Sequence, residues 1–207
     1  MALTKAPLFG LDAGGTIAGA LVFSKWKGRT YVRRHAIPHN PRSGLQVGMR
    51  SMFKFISQDY ANLSAALIAE WKVIADKTAT TPLNAQMQRA QQQARQNFGA
   101  QKGPAETAGT TPTAPATLVA TAQPKSLAIS WTNPAVTPGN YTGMLYASKN
   151  TGFTPDISNL IAVLPVATLA FVHTGLVTGT PYYYRLRQTN TDGKMGALIA
   201  QATGTPT

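Results

Sequence analysis

The chain has 207 residues, 19 Lys and Arg against 7 Asp and Glu, and no cysteine. Its length suits one large domain or two small ones, and 43% apolar residues is enough for packed cores rather than global disorder. The lack of cysteine excludes a disulfide scaffold and any thiolate metal site, and no apolar run approaches the ~20 residues that a membrane span needs.

The N-terminus, MALTKAPLFGLDAGG, has no long apolar core behind a basic start. No signal peptide is expected, and synthesis in a cytoplasm follows. Charge is uneven along the chain. Residues 1–101 carry 13 Lys and Arg against 4 Asp and Glu, while residues 102–207 carry 6 against 3. A basic first part favours an anionic partner without naming it.

Leu11-Asp12-Ala13-Gly14-Gly15-Thr16 is the first motif with chemical meaning. It is similar to the first phosphate loop of sugar kinases and acetate-kinase-like ATPases, where glycine lets backbone N–H groups approach an anion. Such enzymes need two lobes and a second Asp-Gly loop deep in the chain. Here that space is taken by a linker and a run of short strands, so a glycine turn before a strand is the simpler reading of Asp12 to Thr16.

Ala20 to Phe23 and Thr30 to Val32 look like two short strands, with Lys25 to Gly28 as the turn between them. Lys25, Lys27, Arg29, Arg33, Arg34 and Arg42 fall in this stretch beside Trp26 and Tyr31, and nothing acidic occurs between Asp12 and Asp59. The alternation sets Tyr31 and Arg33 against Val32 and Arg34 on the two faces of one strand. His35 and His39 flank Pro38 with no acidic residue within ten positions, so no metal site is expected.

A helix is expected after Pro41. Leu45, Met49, Met52, Phe53, Ile56 and Tyr60 repeat at three and four. Arg42, Gln46, Arg50 and Lys54 form a basic stripe on the other side. A second helix, capped by Asn62 or Ser64, would bury Leu63, Leu67, Trp71 and Ile74. A third, from Leu83 to Phe98, has a thin stripe of Leu83, Met87, Ala90, Ala94 and Phe98, which points to self-association.

KGPAETAGTTPTAPAT, residues 102–117, has no large apolar residue and reads as a semi-stiff linker. Beyond it the period becomes two. Seven strand candidates follow: ATLVATA, SLAISWT, YTGMLYAS, NLIAVLP, TLAFVHTGL, PYYYRLRQTN and MGALIAQATG. That density predicts a β-sandwich. In PYYYRLRQ, Tyr182, Tyr184 and Leu186 point one way; Tyr183, Arg185 and Arg187 point the other, where they offer a surface for a host glycan.

Residues 115–207 resemble a fibronectin type III domain. The resemblance rests on Leu127 to Trp131, on the Leu176 to Tyr182 spacing of a tyrosine corner, on Tyr184 and Leu186, and on Asn190 and Gly193 at the last hairpin. It implies a fold and no activity. Residues 14–55 resemble an N-terminal module of phage and prophage proteins. The positions are Gly15, Gly19, Phe23, Ser24, Trp26, Lys27, Gly28, Tyr31, Val32, Arg33, Pro38, Asn40, Pro41, Gln46 and Arg50. This second resemblance implies a virion structural component.

The expected architecture is an α+β module over 1–101 (a short β-hairpin plus about three helices), a linker over 102–114, and an all-β fibronectin-like sandwich over 115–207. The expected role is a non-enzymatic phage structural protein without cofactor. It would be anchored at the head exterior, the neck or the fibre-attachment ring through Lys25, Trp26, Lys27, Arg29, Tyr31, Arg33, Arg34, Arg42, Arg50 and Lys54. Its partners would be capsid, portal, neck or fibre proteins and further copies of itself, with no membrane. A nucleic-acid-binding role through residues 24–54 is the alternative, with Trp26 and Tyr31 stacking on bases.

Overall fold

The structure, a computed structural model, describes residues 2–3, 15–17, 20–26, 29–37, 40, 42–104, 110–133 and 140–207. Its contacts divide the chain into two units, Met1–Pro41 and Arg42–Thr207. In the first, β1 (Ala2–Leu3), β2 (Gly15–Ile17), β3 (Leu21–Trp26) and β4 (Arg29–Arg34) form an antiparallel sheet in the order β1-β4-β3-β2. The expected hairpin is present and longer than predicted: Lys25 and Trp26 belong to β3, while the turn residues Lys27 and Gly28 lie outside the described residues. Phe23 faces Val32 across the hairpin and is buried, alone among the described side chains of this sheet.

In the second unit three helices precede the sandwich: α1 (Gly44–Asp59), α2 (Ala65–Lys77) and α3 (Pro82–Arg95). Ser64 caps α2 by accepting from Leu67 N–H, and Thr81 caps α3 by accepting from Asn84 N–H, with Pro82 in the first turn. The sandwich consists of one sheet ordered β5-β6-β9 and a second ordered β11-β10-β7-β8. The strands are β5 (Ala116–Gln123), β6 (Ser126–Thr132), β7 (Asn140–Ser148), β8 (Leu160–Pro165), β9 (Ala170–Thr174), β10 (Tyr182–Asn190) and β11 (Ala202–Gly204). All seven expected strands are present, in a three-on-four antiparallel arrangement with Trp131 on the second strand of the sandwich. Between the sheets lie Leu127, Ile129, Trp131, Leu145, Tyr184 and Leu186. Tyr182 closes the tyrosine corner by accepting from Val177 N–H at 3.2 Å.

The outer face of the four-stranded sheet is covered by helices, and this changes the expected domain plan. Met52, Phe55 and Ile56 of α1 and Met87, Ala90 and Ala94 of α3 share a core with Tyr141, Met144, Tyr146, Leu160 and Val163 of the sheet. The boundary therefore falls after Pro41 and not at residue 101. The physical reason is mutual burial: amphipathic helices need an apolar partner, and the sheet supplies one. The stripe on α3 expected to drive self-association is spent in this core, with Phe98 left half-exposed beyond the helix end.

The helix face is also rotated from its expected position. Leu45 and Phe53 are exposed, whereas Gly48 and Phe55 are buried. Gly48 explains the rotation. A Cβ there would lie 2.4 Å from Ile157 O, and one at Gly44 would lie 1.9 Å from Ser158 O. These two glycines let α1 lie directly against the β7–β8 connection. On the far side α2 packs on α3 through Trp71, Ala75 and Ala85.

The expected linker is docked where it is described. Lys102 N–H donates to Thr191 O, Trp71 Nε1 donates to Lys102 O at 3.0 Å, and Asn190 Nδ2 donates to Thr110 O. Pro112 is buried, its carbonyl close against Gly196. Residues 105–109 lie outside the described residues.

Candidate protein-docking surface

Strand register sorts the predicted basic residues of the hairpin. Paired residues of an antiparallel ladder point to the same face, so the pairs Ser24–Tyr31 and Val22–Arg33 share one face, and Arg29, two residues before Tyr31, lies on it. The pairs Lys25–Thr30, Phe23–Val32 and Leu21–Arg34 share the other. Arg29, half-buried Tyr31 and Arg33 thus form one cationic strip, and Lys25 and Arg34 sit on the face that buries Phe23. Gly15 to Ile17 are strand residues paired with β3, so Thr16 stands in a ladder opposite Val22. Asp12 to Gly14, the rest of the phosphate-loop motif, lie outside the described residues, as does His39.

In the second unit, Arg50 and Lys54 are exposed one turn apart on α1. Arg42 is exposed just before the helix, with φ +49, a left-handed conformation uncommon for a residue with a side chain. These three line the open side of a channel between α1 and the edge strand β8, made of two adjoining hollows of about 430 and 370 Å³. Both hollows include Arg42, Val47 and Ile161. Leu164 and Phe171 continue the apolar floor in one direction, and Lys149 stands at the other end. Lys149 Nζ lies 5.8 Å from the Tyr182 ring centroid. The described lining contains four Lys and Arg and no Asp or Glu. Ser51 Oγ accepts from Val163 N–H at 2.6 Å, which ties the helix to the strand edge.

The outward trio of β10 is not an open face. Tyr183, Arg185 and Arg187 are half-buried. The Arg185 guanidinium stacks 5.7 Å from the Phe153 ring, and that of Arg187 lies 5.7 Å from the Tyr146 ring. Arg187 Nη1 also donates to Met195 Sδ at 3.0 Å. The expected glycan surface is corrected accordingly, because the two arginines pack on Phe153, Tyr146 and Met195 instead of standing open to solvent. Burial pushes the Tyr146 phenol up to about 12, with the Arg187 charge working against that rise.

Two further polar contacts tie the layers together. Tyr141 OH donates to Asp59 Oδ2 at 2.5 Å, and Phe55 meets the Tyr141 ring edge-on. Burial is the main cause of a raised Tyr141 pKa, followed by the bond to Asp59 and its charge. His173 Nδ1 lies 3.0 Å from Tyr184 OH, and burial lowers its pKa. Among the described residues, no three His, Cys, Asp or Glu side chains converge as metal ligands would. No helix among them is long and apolar enough to cross a membrane.

Sequence reasoning found Arg42, Arg50 and Lys54 but missed the residues that make them a site. Val47, Lys149, Ile161, Leu164 and Phe171 come from α1, the turn after β7, β8 and β9. The one local signal was Pro165, which lacks an N–H and marks an edge strand.

No protein-family model matches the chain, and no curated protein matches it in sequence. Among solved structures, similarity extends to a β-1,2-glucanase from Parabacteroides distasonis, at 14% identity and TM-score 0.42 over 50% of this chain. The chain spans 14% of that protein's length. It extends also to the fn3 domain of human collagen alpha-1(XX) chain, at 20% identity and TM-score 0.39, covering 49% of this chain and 91% of that one. A third, described as FN3tt mut, matches at 20% identity and TM-score 0.38 over 47% of this chain and all of that one.

Proposed function

We propose that the protein is a non-enzymatic structural component of a bacteriophage particle, attached to an acidic face of other virion proteins and present in many copies. The observation that carries the docking part is the exposed row of Arg42, Arg50 and Lys54 beside an apolar channel. Apolar surface next to unopposed charge is what a protein interface uses: the floor supplies affinity and the rim supplies orientation. The Arg29, Tyr31 and Arg33 strip on β4 adds a second cationic contact on the other unit. The virion setting comes from the resemblance of residues 14–55 to the phage module. The head exterior, the neck and the fibre ring all present the repeated sites that this reading needs. Each exposed ion pair contributes only ~0.5 kcal/mol, so attachment gains from repetition along the particle.

The test is sedimentation of the purified full-length chain with particles that lack it. At about 0.1 M salt, where charges are felt over about 10 Å, the chain should pellet with the particles, and added salt should release it. Replacing Arg50 and Lys54 by Glu should weaken attachment about tenfold. Failure of the unaltered chain to pellet would remove the reading. Tight binding to duplex DNA, with affinity falling steeply as salt rises, would replace it with the nucleic-acid role.

A further inference from the structure

We propose that the channel between α1 and β8 binds an extended acidic segment of a partner protein, one in which carboxylates alternate with apolar side chains. This deepens the docking reading and rests on it.

Charge sets the first requirement. Arg42, Arg50, Lys54 and Lys149 line the two joined hollows, and the described lining includes no Asp or Glu. An occupant with carboxylates is attracted at every point, and one with lysines is repelled. The floor sets the second requirement. Val47, Ile161, Leu164 and Phe171 are half-buried, each leaving apolar surface that an occupant can cover. A purely acidic chain would desolvate its charges there without apolar contact.

Spacing sets the third. Arg50 and Lys54 are one helical turn apart, about 6 Å along α1 at about 1.5 Å per residue. An extended chain covers that distance in about two residues, at about 3.3 Å each. Side chains at alternate positions of an extended chain point the same way. Carboxylates two apart therefore meet Arg50 and Lys54 in succession, while the residues between them turn toward the floor.

The strand edge is short of main-chain donors for an added strand. Ser51 Oγ already takes the outward N–H of Val163, and Pro165 has none to give. Recognition falls to side chains, which is why the pattern of the occupant matters more than its backbone. Nucleic acid fits the channel poorly. The rings in its lining are half-buried Phe171 and His173 and buried Tyr182, which do not form the exposed stacking platform that bases require.

The experiment uses the full chain and a fluorescein-labelled octapeptide alternating glutamate and leucine, read by anisotropy. Comparators are octaglutamate and an octapeptide alternating lysine and leucine. The glutamate–leucine peptide should bind, octaglutamate should bind about tenfold more weakly, and the lysine peptide should not bind. Arg50→Glu with Lys54→Glu should weaken binding of the first peptide about tenfold. Val47→Asp should do the same without lowering the melting temperature. Arg29→Glu with Arg33→Glu should leave it unchanged.

Equal binding of octaglutamate and the alternating peptide would overturn the proposal. So would indifference to the α1 reversals, or an equal loss from the hairpin reversals. The particle assay separates the two claims. If particles are bound but the peptide is not, the channel proposal falls and docking through the hairpin stands. If the peptide is bound but particles are not, the channel proposal is supported and the virion reading falls.

Discussion

Replacing Ile56 by alanine tests whether helices and sandwich are one folding unit. Ile56 is fully buried on α1, in the core it shares with Met87 and Ala90 of α3 and with Met144, Tyr146 and Val163 of the sheet. The substitution removes three carbons. At about 0.8 kcal/mol for each buried methylene, plus a cavity term of about 24 cal/mol per Å³, the expected loss is ~3 kcal/mol. A unit of this size shifts its midpoint by about 2–4 °C per kcal/mol, which gives a fall of ~6–12 °C. Two tryptophans report the two sides separately: Trp71 lies in the α2–α3 core and Trp131 between the sheets. In variants that keep only one of these in the Arg42–Thr207 unit, thermal unfolding followed by fluorescence should show the same lowered midpoint from both. If Trp71 reports the fall while Trp131 stays at its original midpoint, the shared core is refuted, and a boundary near residue 101 is restored.

Gly48→Val should lower the melting temperature, because its Cβ would meet the Ile157 carbonyl at 2.4 Å; over-packing of this kind costs about 1–3 kcal/mol, and an unchanged midpoint would show that α1 does not sit against that loop. Burial lowers the pKa of His173 below the ordinary value of about 6.5. The stabilisation is therefore full above about pH 6.5 and is lost as pH falls toward the folded value; melting curves across that range should slope for the unaltered chain and flatten for His173→Phe. Tyr141 is held in its neutral form, mainly by burial and then by Asp59, so its contribution is full below about pH 10 and lost as pH rises beyond. Tyr141→Phe should shrink the alkaline branch in a pH titration of the melting temperature, leaving the part carried by buried Tyr146 and Tyr184. Tyr182→Phe removes the acceptor for Val177 N–H and should cost about 1 kcal/mol by urea unfolding.

Local patterning made the sandwich legible. Alternation in PYYYRLRQ separated Tyr182, Tyr184 and Leu186 from Tyr183, Arg185 and Arg187 correctly, and the register bears out that division. What it did not convey is that both faces are covered. A half-apolar outer face with two arginines reads as solvent-exposed, because arginine hides its stem and ring-stacking under a charged name. The helices showed the same limit. Periodicity located α1, yet the choice between Leu45 with Phe53 and Gly48 with Phe55 as the inner face was made by the Ile157–Ser158 backbone, more than 100 residues away. Ser51 and Val163 are 112 residues apart, so the channel had no local signature at all. Its exposed cations were readable because a stripe at four-residue spacing on a helix needs no tertiary knowledge.

The clamp of Ser51 on Val163, followed by Pro165, has a consequence for packing at high density. A bare β-sandwich margin invites neighbouring molecules to zip together strand by strand into fibres. Here that margin is shielded by a helix of the same chain, one backbone donor is already engaged and another is missing by composition. Copies crowded side by side can lie with β8 toward one another without merging their sheets, so contacts through this edge are dictated by side chains.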